Sequence, residues 1–414
     1  MDLLKIATAG SVDDGKSTLI GRLMYEAGAL KQDQLQHIEQ KSRKSGYDYL
    51  DFSLATDGLL AEREQGITID VSHIYFSTPS RRFVIADSPG HVEYTRNMIT
   101  GASTANLSLI LVDARKGITA QTRRHFYISC LLGIKQVVLC INKMDLVDYS
   151  ESRFNEIVTA FSEMADQLCP KKLNITSIPV SALHGENIAT NSELMPWYKE
   201  PALLPLLESV KTETNIEQDT VFQVQYVLRP KTNELHDYRA YLGKVRSGVL
   251  RTGDPVVVYP EGQETRVKQL EQYGERVEEV QAGVNCSVML EGEFGISRGQ
   301  ILAGTTNRLQ GLQQIKATIC WMDNAVLTPG KVCWLQYGTQ MVKAKIQQLN
   351  ALVDTSTFES AENPEQFALN DIGEVSIQLA SRLFVQPYLE SRANGAFILI
   401  DNMSNTTAGV GFIR

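Results

Sequence analysis

Residues 3–18 place an apolar run directly before a glycine-rich loop and the start of a helical pattern. The run LLKIATA is followed by GSVDDGKST, which matches the pattern G-x-x-x-x-G-K-S/T. In a loop of this type, between a buried strand and a helix, backbone N–H groups curl around phosphate oxygens. The chain is therefore predicted to contain an α/β domain that binds a nucleotide. The residues predicted to line this site are Gly10, Ser11, Val12, Asp13, Asp14, Gly15, Lys16, Ser17 and Thr18.

Two side chains of this loop have predicted tasks. Lys16 is expected to reach the β- and γ-phosphates, and the Ser17 hydroxyl is expected to be a ligand for Mg²⁺. The helix that follows adds the positive end of its dipole. The loop by itself leaves both ATP and GTP open as ligands.

Four further apolar runs alternate with longer helical patterns over the first two hundred residues. They span 82–86, 107–113, 136–142 and 174–180. Most are continuously apolar, as expected of strands that are covered on both faces. The polar segment 31–64 is predicted to form a helix and a mobile loop. This pattern predicts a mostly parallel, doubly wound sheet.

A second motif, DSPGH, follows the run at 82–86. The carboxylate of Asp87 can hold Mg²⁺ through water, and the N–H of Gly90 can contact a γ-phosphate. Upstream, Thr68 is the natural second hydroxyl ligand of Mg²⁺, bound only while the γ-phosphate is present. This part of the chain is predicted to sense the third phosphate. Its predicted nucleotide contacts are Asp87, Ser88, Pro89, Gly90 and His91.

The motif NKMD closes the run at 136–142 and predicts the base. Asp145 can accept hydrogen bonds from both N1–H and the 2-amino group of guanine, whereas adenine offers neither donor at these positions. The stem of Lys143 can lie over the base, and a backbone N–H of the SAL segment after 174–180 can read the guanine carbonyl. The predicted base contacts are Asn142, Lys143, Met144, Asp145, Ser181, Ala182 and Leu183.

Each motif also has a purely structural interpretation, as a turn or a helix cap. However, four motifs in this order, each at a strand end where open α/β sheets bind their ligands, indicate a GTPase domain.

Beyond residue 211 the helical period gives way to short alternating apolar runs. Glycines between Gly243 and Gly304 supply turn signals at roughly the 8 to 12 residue spacing typical of a barrel, or closer. A polar linker after residue 211 and a second break at 305–312 divide the chain. We therefore predict an α/β P-loop GTPase domain with a mostly parallel doubly wound sheet, followed by two small antiparallel β-barrels. The predicted domains span 1–211, 217–305 and 310–414.

Composition and charge limit the partners and the cellular location expected for the chain. Forty Lys and Arg against 48 Asp and Glu give a formal net charge of −8, which does not provide the cationic field of non-specific nucleic-acid binding. No apolar run approaches the roughly 18 to 20 residues of a membrane span, and the first residues do not resemble a signal peptide. The six cysteines lie far apart, without zinc spacing, and are expected to be buried reduced thiols. A cytoplasmic location is expected, with neither membrane nor nucleic acid as a partner.

Other polar residues are expected to be structural. The basic pairs Arg81-Arg82, Arg123-Arg124 and Lys171-Lys172 are predicted to lie on solvated faces. The histidines outside the nucleotide motifs are given no chemical role; they are His37, His73, His125, His184 and His236.

The motifs together resemble the translation-factor GTPases, through GITID, the DSPGH spacing and NKMD. Within that superfamily the chain is similar to the GTPase subunits of bacterial ATP sulfurylases. The segments that carry this resemblance are GSVDDGKSTLIGRLMYE (10–26), DGLLAEREQGITIDV (57–71), HVEYTRNMITGAS (91–103), DARKGITAQTRRH (113–125), MPWYKEPALLPLLESV (195–210), VQYVLRP (224–230) and IDNMSNTTAG (400–409). Departures from the family pattern are Ser88, Val92 and a longer segment at 231–237.

The resemblance implies a cofactor set and a partner. GTP or GDP with Mg²⁺ would bind here, while a separate, smaller subunit would bind ATP and sulfate and form adenylyl sulfate and diphosphate. GTP hydrolysis would drive that uphill reaction. By the same resemblance, His91 is the catalytic residue that orients the attacking water, with Val12 and Ile67 flanking it as an apolar gate.

Two alternatives stay open at this stage. One is a translation elongation factor that delivers aminoacyl-tRNA, which the acidic charge disfavours. The other is a fusion with an adenylyl-sulfate kinase, which needs a second phosphate loop. The later pairs Gly243-Lys244 and Gly330-Lys331 lack the rest of that motif, so no such kinase is expected in this sequence.

Overall fold

The structure is a computed structural model that describes residues 2–44, 46, 49–55, 71–89, 95–168, 173–212, 218–230, 238–306 and 309–414. It divides into two compact units. Unit 1 comprises Met1–Thr212 with Thr355–Phe358, and unit 2 comprises Glu213–Asp354 with Glu359–Arg414.

Unit 1 alternates strands and helices. The strands are β1 (Leu3–Ala9), β2 (Ser72–Ser77), β3 (Arg82–Asp87), β4 (Leu107–Asp113), β5 (Gln136–Asn142) and β6 (Asn174–Pro179). The helices are α1 (Lys16–Glu26), α2 (Gln32–Lys44), α3 (Thr95–Ala102), α4 (Ala120–Leu131), α5 (Glu151–Leu168) and α6 (Leu203–Ser209). Short 3-10 turns cover Phe52–Ala55 and Met144–Val147.

These strands form one six-stranded sheet in the order β2-β3-β1-β4-β5-β6. All neighbours are parallel except β2, which pairs antiparallel with β3. The predicted mostly parallel sheet is confirmed, and β2 is an addition that was not predicted. In the sheet, β1 is paired with β3 on one side and with β4 on the other. The carboxyl end of β1 therefore lies at a switch point of the topology, where such sheets bind ligands.

Helix packing around the sheet follows from the sequence. All seven residues of β4 are buried, so this central strand needs cover on both faces. Helix α4 begins at a reciprocal capping box in which Thr119 and Thr122 bond each other's backbone N–H groups. Phe126 of α4 packs edge-on against Phe161 of α5, with ring centroids 5.0 Å apart.

An aromatic cluster holds the segment after β5. The Trp197 ring lies 5.3 Å from that of Phe154 on α5. Its indole N–H donates to the carbonyl of Tyr149 at 3.1 Å. Trp197 is therefore anchored to Tyr149, which follows shortly after the 3-10 turn that carries Asp145.

The prediction that Arg81 lies on a solvated face is wrong. Arg81 is buried, and its guanidinium donates to the carbonyls of Leu207, Glu208 and Val210 at the end of α6. It also pairs with Asp2 at 2.7 Å. A cation at the carboxyl end of a helix satisfies carbonyls that lack partners within the helix.

Unit 2 consists of strands. They are β7 (Val221–Leu228), β8 (Ala240–Ser247), β9 (Val249–Arg251), β10 (Pro255–Tyr259), β11 (Gln263–Gln272), β12 (Glu275–Val277), β13 (Glu279–Gln281), β14 (Asn285–Leu290), β15 (Ile301–Gly304), β16 (Gly311–Trp321), β17 (Val332–Tyr337), β18 (Gln340–Val353), β19 (Ser360–Glu362), β20 (Ile372–Phe384), β21 (Ala396–Asp401) and β22 (Thr407–Ile413).

Two closed antiparallel barrels account for most of these strands, as predicted. The first runs β10-β15-β7-β8-β14-β11 and closes through β10–β11, and the second runs β17-β21-β22-β16-β20-β18 and closes through β17–β18. The core cluster of the second barrel also includes Val221, Val257 and Tyr259 of the first. Closure leaves each barrel without a long free edge.

One of the glycines used as turn signals has a different role. Gly243 lies inside β8, and a Cβ there would lie 2.1 Å from the carbonyl oxygen of Gln223 on β7. Close strand approach, not a turn, requires glycine at this position.

Within the described ranges, no helix combines the length and the apolar character that a membrane crossing requires. The five cysteines in these ranges are free, and four of them are buried.

Candidate nucleotide-binding site

The glycine-rich loop lies between β1 and α1, at the switch point of the sheet. Gly15 has φ +93°, and a Cβ on it would lie 2.5 Å from the side-chain nitrogen of Asn142. Both the left-handed backbone and the close contact require glycine there. The loop is tightened from within, because the N–H of Ser11 donates to the Asp14 carboxylate at 2.6 Å.

Lys16 folds back over this loop. Its ammonium donates to the carbonyls of Gly10 at 2.8 Å and Ser11 at 3.0 Å, and the residue is only 7% exposed. Burial lowers the pKa of Lys16, while the carboxylates of Asp87 and Asp14 oppose that shift. A buried cation whose hydrogen bonds to the described residues go to loop carbonyls, near carboxylates, is well suited to an anionic ligand.

Asp87 ends β3 beside this loop. It is buried, and its carboxylate accepts a hydrogen bond from the Thr8 hydroxyl of β1 at 3.0 Å. Ser88 is also buried, and its hydroxyl has no hydrogen-bond partner among the described residues. The structure thus brings the carboxylate of Asp87 and the ammonium of Lys16 to one end of neighbouring strands.

The other residues predicted to contact the third phosphate lie outside the described residues. These are Thr68, Gly90 and His91, together with Ile67 of the predicted gate. Of the predicted magnesium ligands, Ser17 occupies the first turn of α1 and Asp87 is placed as above.

The fit of Mg²⁺ can be judged from the donors present. No three His, Cys, Asp or Glu side chains in the described part of the chain are grouped to hold a metal. Mg²⁺ usually takes one or two protein oxygens and completes its shell with phosphates and water. A serine hydroxyl and one buried carboxylate beside a phosphate loop are donors of that kind.

Asn142 joins the base-recognition motif to the phosphate loop. Its amide nitrogen donates to the carbonyl of Asp14 at 2.8 Å, and its amide oxygen accepts from the N–H of Ala182 at 3.0 Å. Asn142 is buried, so both bonds are shielded from water. One side chain therefore fixes three segments that are far apart in sequence.

Lys143 has a left-handed backbone, φ 62°, and its side chain also links the base-recognition motif to the phosphate loop. Its ammonium donates to the carbonyl of Asp13 and lies 3.1 Å from the Asp113 carboxylate at the end of β4. Burial raises the pKa of Asp113, but the stronger opposing effect of hydrogen bonds from Arg115 and Lys143 holds it well below its usual range. Asp113 is therefore a fixed anion that anchors the lysine stem.

Asp145 is held on its other side by the SAL segment. The Ser181 hydroxyl donates to Oδ1 of Asp145 at 2.6 Å, and Nε2 of His184 lies 4.0 Å from Oδ2. Ser181 is fully buried, whereas the His184 side chain is half exposed. The carboxylate is thus oriented by a buried donor, and the Asp145 side chain is 14% exposed. Met144 is buried beneath this turn, and the carbonyl of Leu183 accepts from Arg22 at 3.4 Å.

Three residues of this site were not among the site residues predicted from the sequence. Asp113, Arg115 and His184 reach the nucleotide motifs only through the fold. The DARKG segment at the end of a predicted strand was the one available signal for Asp113, because strand ends meet at the same edge of the sheet.

Family models match the chain along most of its length. The elongation factor Tu GTP binding domain matches residues 1–216, elongation factor Tu domain 2 matches 239–303, and a GTP-eEF1A C-terminal domain-like model matches 314–414.

Curated relatives are similar over the whole chain. The bifunctional enzyme CysN/CysC of Mycobacterium tuberculosis is 47% identical over 99% of this chain and 67% of its own length. Sulfate adenylyltransferase subunit 1 of Bacteroides fragilis is 45% identical over 100% of this chain and 86% of its own length. The protein of the same name from Colwellia psychrerythraea is 43% identical, over 100% and 88%. A solved structure of sup35 complexed with GDP has 22% identity and a TM-score of 0.45, covering 100% of this chain and 93% of that one.

Proposed function

We infer the function of this chain from its family: it belongs to the sulfate adenylyltransferase subunit 1 family, within the GTPases of the elongation factor Tu type. We propose that it hydrolyses GTP and thereby drives the reaction of ATP and sulfate to adenylyl sulfate and diphosphate. That reaction takes place on a separate, smaller subunit that binds ATP and sulfate.

In this role, GTP hydrolysis must be coupled to the formation of adenylyl sulfate on the partner. Adenylyl sulfate contains a mixed phosphoric–sulfuric anhydride, so its formation from ATP is strongly uphill without a second source of free energy. GTP hydrolysis supplies that free energy only if the GTP-bound and GDP-bound forms of this chain contact the partner differently. A difference in affinity of the two forms for the partner is therefore part of the proposal.

The observation that carries the guanine assignment is the arrangement around Asp145. Its carboxylate is oriented by the buried Ser181 hydroxyl, and the adjacent Asn142 is bonded to the phosphate loop. A preoriented carboxylate accepts from N1–H and the 2-amino group of guanine, and would face the unprotonated N1 of adenine. This supports GTP and GDP over ATP as the ligands of this chain.

We propose that different segments of the site bind different parts of the nucleotide. Residues 10–18, including Lys16, bind the phosphates. Residues 142–145 and 181–183 bind the base, and residues 87–91 sense the γ-phosphate. The hydroxyls of Ser17 and Thr68, and Asp87 through water, would hold Mg²⁺, which neutralises charge on the phosphates when bound. His91 orients the attacking water, with Val12 and Ile67 beside it.

The proposal also covers the domain boundaries and the cellular location of the chain. We propose domains at 1–211, 217–305 and 310–414, the latter two being the barrels. A cytoplasmic location is supported by the free thiols of the described cysteines, which persist in a reducing compartment. Delivery of aminoacyl-tRNA is not favoured, because the relatives that match the full chain are named for sulfate activation.

The decisive experiment mixes the purified chain with the smaller subunit and follows adenylyl sulfate. Synthesis should need GTP, stop with a non-hydrolysable GTP analogue, and release GDP in step with product. The Asp145→Asn variant is the matched control, because it should support little synthesis with GTP and should recover synthesis with xanthosine triphosphate. Adenylyl sulfate formation that is unaffected by GTP would overturn the proposal, as would tight binding of aminoacyl-tRNA.

A further inference from the structure

The ammonium of Lys143 has two partners that lie far apart in sequence. It donates to the carbonyl of Asp13 in the phosphate loop, and it lies 3.1 Å from Oδ2 of Asp113 at the end of β4. The lysine side chain is only 24% exposed. Its stem is therefore held between the phosphate loop and the base-recognition motif by partners that belong to the chain itself.

The pairing of β4 with β5 brings Asp113 to this lysine. Asp113 is in register with Asn142, the residue before Lys143, and its side chain is fully buried. A lysine has one of the largest side-chain entropies, and binding costs less when such a side chain is fixed beforehand. A carboxylate at this position therefore prepares the lysine stem for a bound base.

Asp113 is itself fixed by the turn that follows it. The backbone N–H of Arg115 donates to Oδ1 of Asp113 at 2.9 Å, and its guanidinium donates to Oδ1 at 3.0 Å and to Oδ2 at 2.6 Å. The N–H groups of Lys116 and Gly117 donate to the Asp113 carbonyl, both at 3.0 Å. A bidentate pair of this kind fixes the orientation of the carboxylate as well as its position.

Helix α5 holds the same turn from the other side. The guanidinium of Arg153 donates to the carbonyls of Ala114 at 2.8 Å and Arg115 at 3.2 Å. Gly117 has φ +70°, and a Cβ there would lie 3.2 Å from this guanidinium. The position of Asp113 is thus set by β4, the turn and α5.

The charge of Asp113 is the part of this arrangement that acts on Lys143. Burial raises the pKa of Asp113, but hydrogen bonds from Arg115 and Lys143 hold it well below its usual range. A buried carboxylate that stays ionised attracts an ammonium more strongly than a neutral amide of the same size. Exchange of Asp113 for Asn therefore removes the attraction and keeps the shape.

We propose that Asp113 is a positioning residue that controls nucleotide release. It holds Lys143 at the guanine site, and loss of its charge shortens the time for which GDP and GTP stay bound, because differences in affinity appear mainly in dissociation rates. Asp113 acts through the lysine, so the choice of base stays with Asp145. This inference rests on the guanine site of the proposed function.

The test follows the release of a fluorescent GDP analogue from the full chain after addition of excess GDP. Asp113→Asn should accelerate release by about tenfold, because a charge-assisted contact of the lysine is lost. The ratio of GDP to inosine diphosphate affinity should keep its parental value, since this ratio reports the 2-amino group that Asp145 reads. Glu156→Gln removes an exposed carboxylate paired with Arg153 at 2.9 Å; it is the matched control and should release GDP as the parent does.

A double-mutant cycle shows whether Asp113 acts through Lys143. Lys143→Met removes the ammonium and should itself accelerate release. Adding Asp113→Asn to Lys143→Met should then change the rate by less than about twofold. Asp113→Glu keeps the charge and should release GDP more slowly than Asp113→Asn. Circular dichroism checks the fold of each variant, and if Asp113→Asn does not fold, Asp113→Glu takes its place in the cycle.

The outcomes separate this inference from the proposed function. Release at the parental rate in Asp113→Asn, or equal acceleration with and without the lysine ammonium, overturns the positioning role and leaves the proposed function standing. A ratio of GDP to inosine diphosphate affinity that falls as far as in Asp145→Asn would make Asp113 a base reader and overturn the inference as well. A parent chain that binds no guanine nucleotide would overturn both.

Discussion

The side-chain amide of Asn142 donates a 2.8 Å hydrogen bond to the carbonyl of Asp14, and so connects the base-recognition turn directly to the phosphate loop. The two segments are 128 residues apart in sequence. Their relative position is therefore set by one buried side chain that has a second bond to Ala182.

Replacing Asn142 with Ala should weaken GTP and GDP binding together, by about 10- to 100-fold. The loss reflects removal of buried hydrogen bonds worth about 1–3 kcal/mol and the loosened loop beside Gly15. Equilibrium titration with a fluorescent guanine nucleotide measures it. Asn174→Ala removes an exposed amide bonded to Gln136 and should leave affinity unchanged; equal losses in both variants would argue against a specific link.

Changing Asp145 to Asn should move the base preference from guanine to xanthine, because the amide donates to a 2-carbonyl where the carboxylate accepted from a 2-amino group. GTP affinity should fall by about 100-fold or more. Competition between GTP and xanthosine triphosphate reports the change. Asp148→Asn, three residues along and exposed, is the control. Retention of GTP preference in Asp145→Asn would exclude this residue as the base reader.

His91→Ala should bind GTP normally but hydrolyse it more slowly, by about 100-fold, because a group that positions or polarises water acts on the chemical step. Single-turnover hydrolysis with saturating enzyme isolates that step from nucleotide exchange. His73→Ala, on the edge strand β2, should retain the parental rate. Weak binding with a normal rate in His91→Ala would contradict the assignment.

His125 should make unit 1 acid-sensitive. Burial lowers the pKa of its imidazole to about 3, with Lys16 and Arg124 adding to the effect. The unfolded chain takes up a proton near pH 6.5 and the folded chain does not, so the contribution of this residue to stability is complete above that pH and is lost on acidification toward pH 3. The expected slope is about 1.4 kcal/mol per pH unit below about pH 6.

Denaturant unfolding at several pH values between 5 and 7 tests this slope. His125→Gln should flatten it, whereas the exposed His37→Gln should not. An unchanged slope in His125→Gln would assign the acid sensitivity to carboxylates.

Arg81→Met should destabilise unit 1 by about 2–4 kcal/mol, because it leaves several carbonyls at the end of α6 without a buried donor. Arg82→Met changes the adjacent, exposed arginine and should cost less than about 0.5 kcal/mol. Thermal unfolding of both variants gives the comparison; equal midpoints would mean that Arg81 does not cap the helix.

Buried parallel strands could be predicted from the sequence almost to the residue. The run 107–113 coincides with β4, and the run 136–142 with β5, because burial on both faces leaves a continuous apolar signal. The edge strand β2 was missed, since its residues alternate between exposed positions and buried or partly buried ones, and it has a partner, antiparallel, on one side only.

Side chains whose role depends on a distant partner could not be predicted. Arg81 looks like any surface arginine until the end of α6 is placed beside it, and Lys143 gains its anchor Asp113 only through the adjacency of β4 and β5. The nucleotide motifs, by contrast, are short and contiguous, so their placement at strand ends followed directly from the predicted sheet.

The position of Trp197 gives the GTPase domain an optical reporter. The chain has three tryptophans, and the other two, Trp321 and Trp334, lie in the second barrel. With both of those changed to Phe, fluorescence would arise from Trp197 alone, whose indole is bonded to Tyr149, four residues after Asp145. Exchange of GDP for GTP, and the arrival of a partner, could then be followed in real time without an attached dye.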